Sequence, residues 1–445
     1  MWGRWWVLGT YTLFGALQSA AWALPGTLQP NYQGVYGVSQ YTIQWLENEG
    51  AIGFLLAAAP TMWALDRLGL RLPIFGGLAA LLASSLLRCL ATDASLRSVL
   101  LVHASSVLVA LAGPIAMACP SKLAEDWFPP PERTTATAVA ALGNNSGVIF
   151  LYLLVPLLSP TGDAAGLQRM HAALLALTAL ACAMFALYFP SYPPTPPSPS
   201  AARSRAACEG AQVTAASLCA ALARFYSCAP YLAIALTYSV VGGLASAQGA
   251  LLTQNLAQLG ATEAQAGWVG AAANLGALLL GLGAARSGDA LKAARPGSLK
   301  AILVLSALGA ALGFLAFATA LALGWGLGVG CAAYAAGTAF LGAQVCLSFE
   351  VAAEACWGLG PEGALLMGIV LPANIPQIAA FLVPQGEYFA WVNWAVAGSA
   401  LAGAGVLLAW VPSASPRLDF DRAQERPRIA GGAQEPLLAQ GLALQ

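Results

Sequence analysis

Apolar runs of about 20 residues, each separated from the next by a short polar stretch, recur from one end of this chain almost to the other. They centre on residues 5–28, 43–64, 72–91, 98–119, 134–158 and 170–189, and again on 231–253, 266–285, 299–321, 326–349, 364–384 and 388–411. About 20 residues of helix cross a hydrocarbon core, so the pattern predicts twelve transmembrane helices. One polar stretch stands apart from the rest. FPSYPPTPPSPSAARSRAACEG, Phe189 to Gly210, places six prolines between Pro190 and Pro199 and splits the runs six and six. Proline removes backbone donors and fixes φ, so this stretch reads as an extended, polyproline-like connector in water.

The predicted fold class is an all-α membrane protein of two pseudo-symmetric six-helix bundles, the major facilitator layout. The boundaries follow: 1–189 for the first bundle, 190–215 for the linker, 216–412 for the second bundle and 413–445 for a polar tail.

Composition agrees: 59% of the chain is hydrophobic, 9% is charged and 47 residues are glycine, which lets helices approach closely in lipid. Zero net charge gives no reason to expect nucleic acid, and nine cysteines without paired spacing indicate neither a disulfide framework nor a metal site. No metalloprotease, nucleophile–base or phosphate-loop motif is present, so an enzyme is not expected, nor is a cofactor. The partners expected are a small solute, the bilayer and a coupling proton, with the chain acting as a monomer. The apolar run from Trp5 is too long for a cleaved signal and reads as a retained first span.

Charge sets the expected orientation. With the N-terminus in the cytoplasm, sixteen of the nineteen basic residues fall on that side, and only Arg88, Arg97 and Arg169 on the other. Both termini and the linker are then cytoplasmic. The loop WALDRLGLR, with Asp66, Arg67 and Arg71, has a degraded copy in AARSGDALKAAR after the eighth span. An acid flanked by bases there can pair across the bundle interface and release when the bundles rock; the alternative is a solvated turn. Glu350 and Glu354, four residues apart, repel mildly and call for cationic partners such as Arg133 or Lys122, as an inward gate would.

Polar groups within a span must face protein or water, because lipid cannot satisfy them. Gln18 and Trp22 lie on one face of the first span, one turn apart, before Pro25 and Gly26. Trp22 reads either as a π-face for an ammonium group or as an interfacial anchor. Asn144, Asn145 and Ser146 form a polar cluster in the fifth span. Gln248, Tyr238, Asn274 and Asn374 are further cavity candidates, each also able to serve as an ordinary helix–helix contact. His103, Glu49 and Glu47, in the outer third of their spans, are the candidates for carrying a proton.

WALDRLGLR resembles the signature loop of major facilitator transporters. WFPPPERTTATAVAALGNNSG (Trp127 to Gly147) and FEVAAEACWGLGPEG (Phe349 to Gly363) resemble solute carrier family 49, which includes the feline leukaemia virus subgroup C receptor-related transporters. GTYTLFGALQSAAW, YGV, HASSVLVALAGP and AGWVG point to its renal-carcinoma branch. The resemblance covers most of the spans but not the linker or tail.

It implies a secondary carrier of a small organic solute, choline/ethanolamine-like or vitamin B6-like. The alternatives are a haem or porphyrin exporter, for which two histidines supply few axial ligands, or a non-transporting receptor. In choline-handling members a cation-stacking tryptophan matches Trp22. Asn145 and Asn374 fall at or near substrate-contacting glutamines, shortened here by one methylene. Ser246 stands where a tyrosine closes the cage. Glu435-Pro436-Leu437-Leu438 resembles an acidic dileucine signal, so the expected location is the plasma or endolysosomal membrane.

Overall fold

The computed structural model describes residues 2–159, 163–210, 214–292, 294–295, 297–382 and 390–430. The Glu435–Leu438 sorting motif and the Glu47 side chain lie outside the described residues. Twelve long helical stretches run through the rest: α1 (Trp2–Thr27), α2 (Gln40–Leu68), α3 (Arg71–Leu90), α4 (Leu96–Ala118), α5 (Arg133–Leu158) and α6 (Ala164–Leu187). They continue as α7 (Ala229–Ala250), α8 (Glu263–Lys292), α9 (Ser298–Leu323) and α10 (Leu327–Ala355). The eleventh, α11, is broken into Glu362–Val370, a 3₁₀ turn at Leu371–Ala373 and Asn374–Leu382. The last is α12 (Ala390–Trp410).

Ten of the twelve are long and apolar enough to cross a membrane. In α1 and α2 the apolar run is diluted, by Arg4 and Gln18 in the first and by Glu47, Glu49, Asp66 and Arg67 in the second. Ser39, Ser95 and Asp163 cap α2, α4 and α6 by accepting from the backbone N–H three residues on. Those starts share the face away from the linker.

Small residues fix the spacing between helices. A Cβ on Gly147 of α5 would lie 1.9 Å from the Ala16 carbonyl of α1. The equivalent pair in the second bundle behaves alike: a Cβ on Gly243 of α7 would lie 2.3 Å from the Ala373 carbonyl at the break in α11. This is the major facilitator fold, two bundles with α2 against α11 and α5 against α8 at their junction.

Two expectations need correction. The linker is irregular only as far as Ser198; from Pro199 to Gly210 it is a helix. All six prolines precede the second helical position, and Pro199 at the first turn costs no hydrogen bond, so the alanine-rich remainder is free to coil. The tail, expected as featureless polar chain, forms a helix over Pro416–Ala430. Its inner face is held largely by ion pairs, with buried Leu418 and the Phe420 ring, 4.7 Å from that of Trp357, beside them, too few apolar positions to make a stripe.

Candidate substrate path and the closed linker face

Gln18 is buried between three helices. Its Nε2 donates to the Val109 carbonyl of α4 at 3.4 Å, and its Oε1 accepts from Asn144 Nδ2 of α5 at 3.0 Å. Asn144 also donates to the Gly15 carbonyl at 2.9 Å. The amide that meets Gln18 is therefore Asn144, while Asn145, the residue singled out from the sequence, is exposed at the next helical position. One turn above Gln18, the half-buried Trp22 indole packs on Gly50 of α2, where a Cβ would come within 2.4 Å of Nε1. α1 stays helical through Pro25 to Thr27.

In the second bundle, Asn374 is half-buried at the break in α11 and donates to the Leu371 carbonyl at 3.1 Å. Broken helices free backbone groups at membrane depth, which is tolerated where they are buried or line a cavity. Gln377, one turn further along the same face, is also half-buried and was not singled out in the sequence.

Two other candidates sit elsewhere. Tyr238 is buried against Phe349, with ring centroids 5.4 Å apart. Gln248 is fully buried and donates to Asn393 of α12 at 2.8 Å; Asn393 in turn donates to Asn255 at 3.1 Å. Gln248 thus joins α7 to α12 through a buried amide cluster. Asn274 bonds back to the Gly270 carbonyl of its own helix, and Ser246 to that of Gly242.

His103 of α4 and Glu49 of α2 meet across two helices, Nδ1 to Oε1 at 2.6 Å, each about a quarter exposed. The other histidine, His171, is buried against the Tyr32 hydroxyl at 3.3 Å. Arg88, also buried, holds α3 to its neighbours through Ser105 at 2.6 Å and the Ala21 carbonyl at 2.7 Å.

The face carrying the linker and tail is closed by charge. Buried Asp66, at the end of α2, accepts from the Gly363 N–H that opens α11. Its counterpart Asp289, at the end of α8, accepts from Thr134 N at 3.1 Å and Thr135 N at 2.7 Å at the start of α5. Each carboxylate sits at the positive end of a helix dipole in the opposite bundle. Arg67 and Arg71 are exposed beside this contact. Gly69, between them, has φ +71°, a left-handed conformation that glycine adopts without strain.

Lys292 bridges Asp289 at 2.8 Å and Glu350 at 3.7 Å. Glu354 accepts from the Leu418 N–H of the tail. Glu350 pairs directly with Lys292 and its charge also acts on Arg133, as the Arg133 charge acts on Glu354; the direct ion pair of Arg133 is with Asp421 of the tail helix at 3.2 Å. Arg417, with no exposed surface, lies 3.5 Å from both Glu125 and Glu362. Burial would drive protons off the Arg417 guanidinium, but these carboxylates hold its pKa above the usual range. Burial likewise opposes ionisation of Glu125, yet the Arg417 charge keeps its carboxyl below the usual range.

The profile of the Major Facilitator Superfamily matches residues 11–253. A solute carrier family 49 member 4 homologue of Xenopus tropicalis is 30% identical over 412 residues, covering 89% of this chain and 88% of that protein. The chain belongs to solute carrier family 49 of the major facilitator superfamily. The human choline/ethanolamine transporter FLVCR2 is 29% identical to this family member over 163 residues, covering 35% of the chain and 30% of that transporter. Among solved structures, the proton:xylose symporter XylE superposes with a TM-score of 0.71 at 14% identity, covering 93% of this chain and 98% of the symporter. At that identity the likeness speaks for the fold alone.

The family member thus has the expected acids at its linker face, but the sequence pointed neither to Arg417, Glu125 and Glu362 nor to the partners of Asp289. Only the weak loop repeat signalled Asp289. Arg417 and Glu125 lay in stretches read as polar surface.

Proposed function

We propose that the chain is a secondary carrier of a small amine-bearing or aromatic solute, working by alternating access, with the linker face in the cytoplasm. Residues 1–189 and 216–412 rock against one another in this reading, and residues 190–215 tether them. The observation that carries it is the Gln18–Asn144 amide pair with Trp22 one turn away, a polar and aromatic set gathered where three helices of the first bundle meet. Intramembrane amides are costly unless they serve packing or a solute path, and a receptor without transport would have less need of them.

Choline/ethanolamine transporters among the relatives favour an amine. The absence of an aromatic side chain at Ser246 favours a smaller amine or a flat ring over a quaternary ammonium. The haem alternative has little support, since His103 pairs with Glu49 and His171 with Tyr32. Uptake of labelled ethanolamine, choline and B6 vitamers into proteoliposomes tests the reading; saturable accumulation of at least one is expected.

The His103–Glu49 pair is the proposed proton carrier. His103→Gln and Glu49→Gln should each flatten the pH dependence of uptake between about pH 5.5 and 7.5. Wild-type uptake that is flat across that range would remove the coupling proposal.

Asp66→Ala should slow turnover roughly tenfold with a much smaller change in apparent affinity. The Asp66–Gly363 contact is made across the bundles and should break when they part, so it biases only some states. Normal turnover at normal abundance would mean that Asp66 does not gate.

A further inference from the structure

The linker and tail helices meet where Arg203 lies over the Phe420 ring at 5.3 Å, and again in a buried polar cluster that the transport reading leaves unexplained. Arg133, at the start of α5 and 1% exposed, donates through one guanidinium nitrogen to Asp421 at 3.2 Å. Through the other it donates to Ser198 and, at 3.0 Å, to Ser200. Asp421 accepts from the Ser200 N–H at 2.8 Å and the Ser200 hydroxyl at 2.9 Å. Ser198 Oγ accepts from the Ala201 N–H at 3.1 Å and so sits at the first turn of the linker helix, 3.0 Å from Ser200 Oγ. One cation and one anion balance in this cluster. Asp421 is what brings the tail helix into it, and Arg417, one turn earlier on that helix, reaches the buried Glu125 and Glu362.

Ser198 is followed directly by Pro199 and preceded by Pro197, and the chain on its N-terminal side is irregular. A serine with proline at the next position is the chemistry that a proline-directed protein kinase reads. We propose that Ser198 is a phosphorylation site, and that its phosphate takes Asp421's place on Arg133 and releases the tail helix from the linker face. The proposal rests on the cytoplasmic placement of the linker given above. A nucleoside triphosphate donates the group: Ser198 Oγ loses its proton to the kinase's base and bonds the γ-phosphorus, and the nucleoside diphosphate leaves.

Two physical effects then act in opposite directions on the two helices. A phosphoserine at a helix start, beside an arginine, is favoured by the backbone N–H groups and by the guanidinium, so the linker helix and Arg133 keep it. Asp421 and Ser198 Oγ share two neighbours, the Ser200 hydroxyl and the Arg133 guanidinium, and that one guanidinium cannot neutralise a dianion and a carboxylate together. The carboxylate leaves, and the tail helix goes with it. Because Ser198 is buried while the tail is docked, the kinase reaches it only when the tail has lifted. The modification therefore holds open a face that thermal motion opens briefly.

The test uses the purified full chain, a proline-directed kinase and ATP, with site-resolved mass spectrometry and hydrogen exchange. Thr195-Pro196, exposed three residues earlier, serves as the reference site. Relative to Thr195, phosphate should enter Ser198 slowly in the wild type and on the order of tenfold faster in Asp421→Asn. Full phosphorylation at Ser198 should raise exchange over residues 416–424 to the level of Asp421→Asn, while residues 201–206 stay protected. Ser198→Ala, phosphorylated at Thr195 alone, should keep the tail protected. The proposal is overturned if Ser198 stays unmodified in Asp421→Asn while Thr195 is labelled. It is equally overturned if fully phosphorylated Ser198 leaves the tail as protected as before. Neither readout requires a transported solute, so a failure of the carrier reading would register separately in the uptake assay.

Discussion

Arg417→Met should lower the stability of the closed form by about 3–5 kcal/mol, the usual cost of removing one partner from a buried ion pair. Among the described residues, no other side chain on the linker face combines complete burial with so many acidic neighbours. Glu125 and Glu362 lie 3.5 Å away, and the Glu350 and Glu354 charges act on it as well. Methionine matches most of its length but leaves those carboxylates buried with too little positive charge.

The structure has two ways to relieve this: take up protons, or admit water by lifting the tail helix. Thermal unfolding of the detergent-solubilised protein measures the loss, and protease access to residues 190–215 reports the lifted tail. The double variant Arg417→Met with Glu125→Gln should recover part of the stability, because Glu125 is the carboxyl that Arg417 keeps ionised and the change removes a charge left without its partner. An Arg417→Met protein that melts with the wild type would show that the charge cluster does not hold this face.

Trp22→Ala should abolish transport while leaving abundance near normal. The indole rests on Gly50 of α2, and its π-face is the only one proposed to meet the solute on α1. If the solute is cationic, its stacking contributes roughly 0.5–2 kcal/mol depending on desolvation. Trp22→Phe keeps a weaker π-face and should keep part of the rate; alanine keeps none. The split matters because a membrane-interface anchor behaves differently. An anchor's loss lowers abundance or insertion and leaves the rate per molecule unchanged. Uptake normalised to reconstituted protein separates the two.

The transmembrane helices were readable because their signal is local: a run of apolar residues long enough to cross lipid, ended by charge. Most predicted spans end within a few residues of the observed helices; the larger differences fall at the start of α6, which begins at Ala164, and at the linker-face ends of α8 and α10. There the helices run on to Lys292 and Ala355, carrying charge that meets partners rather than water. What the sequence withheld was direction around each helix. Asn144 and Asn145 differ by one position, about 100° of rotation, and only the place of α1 decides which meets Gln18. Gln248 is the kind of residue a solute path would use, yet it spends its donor on Asn393. The tail helix was invisible for another reason. Arg417 and Asp421 look like surface charge in a polar stretch, because a helix docked by ion pairs carries no apolar period to read.

On the proposed function, a small amine or aromatic solute passes beside Trp22. Uptake by purified protein in proteoliposomes tests it most directly, with labelled ethanolamine, choline and pyridoxine, an imposed pH gradient, and Trp22→Ala alongside the wild type. Saturable accumulation of at least one of these solutes by the wild type is expected, with near-background uptake by the folded Trp22→Ala protein. Equal uptake by the two proteins, or none by a folded wild type across the whole panel, would contradict it.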